Sequence, residues 1–249
     1  MTLDALRLND NIMKLLRKYF IDPITERLLI RYPGLRFVKD YSPKVFERRE
    51  ILWKIMNFVE ECGVEGDYLE FGVYKGRTFI SAIKAAQKKS LYRMQFYAFD
   101  SFHGLPKPEG VDTDSDQFHE GELAYSLEEF KKVLRARNTD FSKIHIVPGF
   151  YKDTLTPETK KQLPLKAAAV VWVDCDLYDS TVPVLDFVKE YLVDGTIVVL
   201  DDWFFYKGHP KRGERKAFSE WLEKNSEFSA SEFNKYAWHG NSFIIHKDQ

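Results

Sequence analysis

The chain has 249 residues, 44% of them hydrophobic and 15% aromatic, with a formal net charge of -1. That apolar content excludes wholesale disorder, and the near-zero charge gives no broad basic footprint for nucleic acid. Two cysteines, Cys62 and Cys175, are too few for a disulfide framework and suit a reducing, cytoplasmic setting, and no run approaches the roughly 20 apolar residues of a membrane span.

The opening stretch differs from the rest. Residues 1–60 read as a helical extension, with Ile12, Leu15, Leu16, Tyr19 and Phe20 at amphipathic spacing and Pro23 interrupting it. Such a segment would serve as a lid over the site, as an arm on a second copy in a homodimer, or as a helix packed on its own domain. It lacks the uninterrupted apolar core of a signal peptide.

Residues 61–249 then alternate between two periods. Short apolar runs at 67–72, 95–100, 144–149, 168–174 and 196–202 are separated by helix-period segments such as "RTFISAIKAAQKK" and "SLEEFKKVLRARN". Strands alternating with helices predict an α/β fold with a mostly parallel sheet, and nearly continuous apolar strands predict helices on both faces. The last run, "NSFIIHK" (241–247), follows "FSASEF" by a short path and fits an antiparallel addition at the sheet edge.

The strand ends carry the chemistry. "LEFGVYKGRT" places Glu70 and Gly72 at the first strand tip and Gly76 at the start of the next helix, where glycine lets backbone approach a ligand. Its Gly-x-x-x-Gly spacing is not the dinucleotide fingerprint. "FDSFHGLP" puts Asp100 after the second strand, where adenosine-binding α/β folds hydrogen-bond ribose hydroxyls.

"VVWVDCDLYDST" and "VLDDW" bring Asp174, Asp201 and Asp202 to the carboxyl ends of two strands expected to be neighbours. Three converging carboxylates repel one another unless a cation intervenes, and oxygen-only ligation suits Mg²⁺. Asp176 and Asp179 are expected to serve the helix that starts near Ser180 instead. "DTDSD" (112–116) opens like a calcium loop, but Gln117 and Leu123 stand where glycine and glutamate are required, so a polar surface loop is expected. The basic stretch "KGHPKRGERK" (207–216) would steer an anionic substrate or form a solvated loop. His103 and His209 fall in loops at the carboxyl edge and are candidate bases; His145 and His246 sit in strand patterns and read as structural.

Five of these motifs, "LEFGVYKGRT", "FDSFHGLP", "VPGFYKDTL", "VDCDLYDST" and "VLDDW", occur in the order and spacing of the macrocin O-methyltransferase family, which the chain resembles from about Tyr68 to Trp221. The resemblance implies a Rossmann-like class I methyltransferase fold: a seven-stranded sheet, antiparallel only at its last strand, with helices on both faces. It implies S-adenosylmethionine and Mg²⁺ as cofactors and methyl transfer to a hydroxyl of a sugar or sugar-bearing natural product. By the same resemblance Glu70, Gly72 and Gly76 border the methionine and adenosine, Asp100 and Ser101 the ribose, and Gly149 and Phe150 the adenine. Asp174, Asp201 and Asp202 match the family's metal-ligand positions.

The layout is also similar to catechol O-methyltransferase, but Leu177 stands where that enzyme has its lysine base. Asp174 and His209 are therefore the candidates for the catalytic base. A metal-dependent phosphoesterase and a non-catalytic S-adenosylmethionine-binding descendant are the competing readings; the first has no need of "LEFGVYKG" with Asp100.

Overall fold

The structure, a computed structural model, describes residues 43–113 and 117–247. The chain divides into two units at Phe46, and the sheet with its helices belongs to the second. The amphipathic segment around Ile12 to Phe20 lies outside the described residues. The last part of the expected extension is a helix, α1 (Pro43–Glu61).

Seven strands form one sheet in the order β3-β2-β1-β4-β5-β7-β6. They are β1 (Asp67–Phe71), β2 (Phe96–Asp100), β3 (Ile144–Pro148), β4 (Ala168–Val173), β5 (Leu192–Leu200), β6 (Phe228–Tyr236) and β7 (Gly240–Lys247). The first five run parallel, and β7 enters antiparallel between β5 and β6. The expected topology is therefore present, antiparallel last strand included. The apolar-run pattern misses β6, because an edge strand covers little of the core: Ser229, Ser231, Glu232 and Lys235 are exposed.

The period-2 alternation of the strands splits the interior into two cores. Tyr68, Phe96, Ala98, Val170, Trp172 and Val199 face one side. There they meet Ile51, Leu52, Ile55, Met56 and Val59 of α1, with Phe79 and Ile83 of α2 (Arg77–Lys88) and Phe130 of α3 (Leu127–Ala136). Leu69, Phe71, Tyr97, Phe99, Val171, Val173 and Val198 face the other side. The two short helices α4 (Tyr151–Thr154) and α5 (Pro157–Gln162) precede β4; α6 (Tyr178–Val188) and α7 (Gly213–Lys224) follow β4 and β5. Val184, Leu185 and Phe187 of α6 and Phe218 and Trp221 of α7 complete the second core. Each large apolar side chain so buried contributes about 1.5–3 kcal/mol relative to exposure, which makes the sheet a stiff platform for its carboxyl edge.

That edge is held in line by hydrogen bonds running one residue past the strands. Gly72 N donates to Phe99 O (2.8 Å), Asp174 N to Phe71 O (2.8 Å), Asp201 N to Val173 O (2.9 Å) and Gly149 N to Asp100 O (2.9 Å). Gly72 has φ 90°, and a Cβ there would lie 1.9 Å from the Asp174 carbonyl oxygen. A side chain at this position therefore meets both strain and backbone.

Gly72→Ala is expected to lower unfolding free energy by about 2–4 kcal/mol, read as a reduced denaturant midpoint at unchanged m-value. Wild-type stability in that variant would show that the β1 turn relaxes without cost.

Candidate active site

The β4–β5 register pairs Val173 with Leu200, so the residues that follow, Asp174 and Asp201, stand side by side at the carboxyl edge. The antiparallel pairing of Leu200 with Asn241 brings the β6–β7 turn to the same place. Asp201 and Asp202 are buried, and Asp174 keeps 22% of its side chain exposed. Of the three predicted aspartates, Asp174 and Asp201 both face Arg48, while the set of ligand atoms within 4.8 Å of one another comprises Asp201, Asp202 and His239 and leaves Asp174 outside it.

Asp176 joins these aspartates, which corrects the role expected for it. It is buried with φ 64°, and it makes no cap for α6: that helix starts at Tyr178 behind Leu177, which makes no side-chain cap. The carboxylate at the start of α6 is instead Asp112, whose Oδ2 accepts from Tyr178 N at 2.5 Å and whose Oδ1 accepts from Gly213 N at 3.4 Å. Asp112 is fully buried, so this end of "DTDSD" is an internal tie between two helix starts rather than a surface loop. Asp179 remains an exposed acid in the first turn of α6, where the helix dipole favours negative charge.

Four groups around the aspartates come from elements with no acidic motif. Glu214, buried in the first turn of α7, accepts from Cys175 N (Oε1, 3.1 Å) and from Asp202 N (Oε2, 2.9 Å). One carboxylate thus clamps both acid-bearing loops. Tyr236 at the end of β6 donates its hydroxyl to Asp201 Oδ1. His239 donates Nδ1–H to the Asp201 carbonyl (2.6 Å), which fixes the tautomer with a free lone pair on Nε2. Arg48 of α1 donates Nη2 to Asp201 Oδ2 and lies 3.6 Å from Asp174 Oδ2.

The electrostatics follow from this crowding. Burial, and then the neighbouring carboxylates, push Asp174, Asp176 and Asp202 well above the usual carboxylate range. Burial and Asp202 do the same to Glu214, against the pull of its two backbone hydrogen bonds. Burial works against the charge on Arg48, but Asp201 and Asp174 outweigh it and raise its pKa.

This donor set fits a divalent cation. Asp202 Oδ2 is buried with no hydrogen-bond partner among the described residues. Ligand atoms of Asp201, Asp202 and His239 lie within 4.8 Å of one another. Carboxylate oxygens suit Mg²⁺, and one imidazole extends the choice to Mn²⁺. The Asp174/Asp201/Asp202 reading omitted His239, which stands in "AWHGN" without a motif to mark it.

The predicted cofactor side lies around β1 and β2. Glu70 is buried and accepts from Tyr68 Oη at 2.5 Å, while its Oε1 has no partner among the described residues. Burial pushes Glu70 up to about 8, with the Tyr68 hydrogen bond and Arg48 opposing. Gly76 has φ 69°, with Phe130 2.8 Å from where its Cβ would sit; Gly149 has φ 131° and faces Thr154. Asp100 accepts from Val73 N (2.8 Å) and Tyr74 N (3.0 Å) through Oδ2 and from Phe102 N (2.7 Å) through Oδ1. It thus ties the β1 and β2 loops together. Ser101 Oγ donates to Gly104 O (2.7 Å), and Phe150 precedes α4. His209 is exposed, with Nδ1 accepting from Lys211 N at 3.1 Å. His103 is exposed too, with Nδ1 donating to Ser101 O.

A sequence profile described as Macrocin-O-methyltransferase (TylF) matches residues 45–224. The chain belongs to the macrocin O-methyltransferase family. Its similarity to 8-demethyl-8-(2,3-dimethoxy-alpha-L-rhamnosyl)-tetracenomycin-C 4'-O-methyltransferase of Streptomyces olivaceus is 31% identity over 151 residues, covering 57% of this chain and 54% of that protein. Similarity to Mycinamicin III 3''-O-methyltransferase of Micromonospora griseorubida is 27% over 164 residues, 60% of this chain and 63% of that one. The matched part therefore spans only about half to three-fifths of these relatives. The solved O-methyltransferase NovP superposes with a TM-score of 0.69 at 22% identity, covering 82% of this chain and 80% of that one. At that identity the likeness concerns the fold, which is the class I methyltransferase fold.

The raised carboxyl of Glu70 sets a pH dependence. A carboxyl whose folded pKa exceeds its unfolded value favours the fold while protonated, so its stabilisation is full below the unfolded pKa and is lost as pH rises through the folded one. Metal-free protein is expected to lose melting temperature between about pH 4.5 and 8, and Glu70→Gln, neutral throughout, to flatten that decline. An unchanged slope in the variant would contradict the assignment.

Proposed function

We propose that the protein transfers a methyl group from S-adenosylmethionine to a hydroxyl of a sugar or sugar-bearing small molecule, with a divalent cation at Asp174, Asp201 and Asp202. The observation that carries this reading is the buried acidic cluster at the ends of β4 and β5, one strand away from the Glu70–Gly72–Gly76 turn. The relatives' names support the acceptor class, since each is an O-methyltransferase and the Streptomyces olivaceus protein is named for a rhamnosyl-bearing substrate. Family membership also weighs against phosphoester hydrolysis.

When bound, the sulfonium cofactor supplies an electrophilic methyl and the cation lowers the pKa of the acceptor hydroxyl. The chain supplies the rest. Asp174, Asp201 and Asp202 hold the cation, with His239 able to add a nitrogen. Glu214 keeps the β4 and β5 loops at a fixed separation, so the oxygens do not drift apart. Asp174, the aspartate with the most solvent access, is the base we assign to accept the hydroxyl proton; His209 is exposed further along the connection that begins with Asp201 and Asp202. The turn at Gly72 and Gly76 admits the cofactor close to the backbone, and Glu70 Oε1 offers it an acceptor. Alignment of two reactants in an enclosed site is worth about 7–11 kcal/mol in favourable cases.

Methylation of deoxysugar-bearing acceptors is expected to rise with Mg²⁺ or Mn²⁺ and to stop in excess chelator, and Asp202→Asn is expected to reduce it by roughly 100-fold or more. Full activity in chelator would remove the metal from the mechanism. Calorimetric titration with S-adenosylhomocysteine checks the cofactor separately, and no binding at millimolar ligand would overturn the methyltransferase reading.

A further inference from the structure

Asp201 has two carboxylate oxygens, and both are already engaged. Oδ1 accepts from Tyr236 and Oδ2 from Arg48. A cation ligated by Asp201 shares one of them, with a neutral hydroxyl at Oδ1 or with a positively charged guanidinium at Oδ2, and only the second is a charge competitor. Tyr236 is held in place: it is buried, packs on Trp172 at 5.5 Å between ring centroids and sits in a strand. Arg48 is not held in this way. Its side chain is 32% exposed, it hangs on a flexible stem, and its Nε is buried with no partner among the described residues.

The position of Arg48 within α1 is also informative. Ile51, Leu52, Ile55, Met56 and Val59 form the buried stripe of this helix, and Arg48 continues that stripe one step toward the N-terminus. The side chain at the stripe's end reaches the aspartates rather than the core. It delivers one positive charge to Asp201 and Asp174, two of the three aspartates assigned above to the cation.

We infer that Arg48 is the resident counter-ion of this cluster, and that a divalent cation enters only by displacing its guanidinium from Asp201 and Asp174. The inference rests on the metal-assisted reading above and adds a competitor to it. Two cations cannot share Asp201 Oδ2 at contact distance without strong mutual repulsion. With Arg48 seated, one positive charge offsets part of the negative charge on Asp201 and Asp174 without metal. With the ion seated, Arg48 is released from both aspartates. Occupancy by Arg48 therefore raises the apparent metal Kd to the intrinsic value divided by the fraction of time the oxygens are uncovered.

The test is a Mn²⁺ titration of metal-free protein, with free ion followed by electron paramagnetic resonance, on wild type, Arg48→Gln and Arg48→Lys. Arg48→Gln is expected to bind Mn²⁺ about tenfold more tightly than wild type, because the competing state is gone. Without metal it is expected to melt below wild type, and saturating Mn²⁺ is expected to close that gap, which a merely structural role for Arg48 would not do. Arg48→Lys keeps the charge without the planar fork, folds more securely and should fall between the two. Equal or weaker Mn²⁺ binding in folded variants would overturn the competition while leaving the metal reading intact. Absence of Mn²⁺ binding in wild type and variants alike would overturn both, and S-adenosylhomocysteine binding by the same samples would show whether the methyltransferase reading survives.

Discussion

The carboxyl edge of this sheet has to hold several buried carboxylates within a few ångströms of one another. Left alone, such groups would protonate or pull apart. Glu214 prevents the second outcome by accepting the Cys175 and Asp202 amides with one carboxylate. It fixes the β4 and β5 loops by backbone atoms, whatever the side chains do. Because Glu214 sits in the first turn of α7, the separation of the aspartates is tied to the packing of Phe218 and Trp221 beneath it.

Charge is managed from two other directions. Arg48 arrives from the helix on the opposite face of the sheet, and Tyr236 and His239 arrive from the hairpin that β7 inserts beside β5. The antiparallel final strand thus has a consequence beyond edge protection. Because β7 starts at the carboxyl edge, the short β6–β7 turn lies there and carries His239, with Tyr236 at the end of β6, to Asp201. Fold and site are coupled through strand direction.

Much of this was legible in the sequence. Apolar runs alternating with helix-period segments predict the sheet, and Asp174 with Asp201 and Asp202 follow from runs that end in acid. Asp176 was misassigned because an aspartate two residues before a helix resembles a cap; its left-handed backbone, which turns it inward, leaves no mark in a single sequence. Asp112 was assigned to a surface loop because "DTDSD" fails the calcium-loop pattern at Gln117 and Leu123, although the residue itself is fully buried. Arg48, Glu214 and His239 escaped for a common reason: each reaches the site from an element whose own pattern is ordinary. The one available signal was the arginine standing at the end of an apolar stripe. Long-range partners of this kind depend on tertiary packing, which periodicity does not encode.

The central claim is that the ends of β4 and β5 form a cation site whose charge is supplied by Arg48 until the ion arrives. It is tested most directly by crystals grown with Mn²⁺ and S-adenosylhomocysteine and measured for anomalous scattering. The account predicts an anomalous peak bonded to Asp201 and Asp202 with the Arg48 guanidinium moved off Asp201. Crystals with the cofactor product bound, no peak at these oxygens and Arg48 still paired with Asp201 would contradict it.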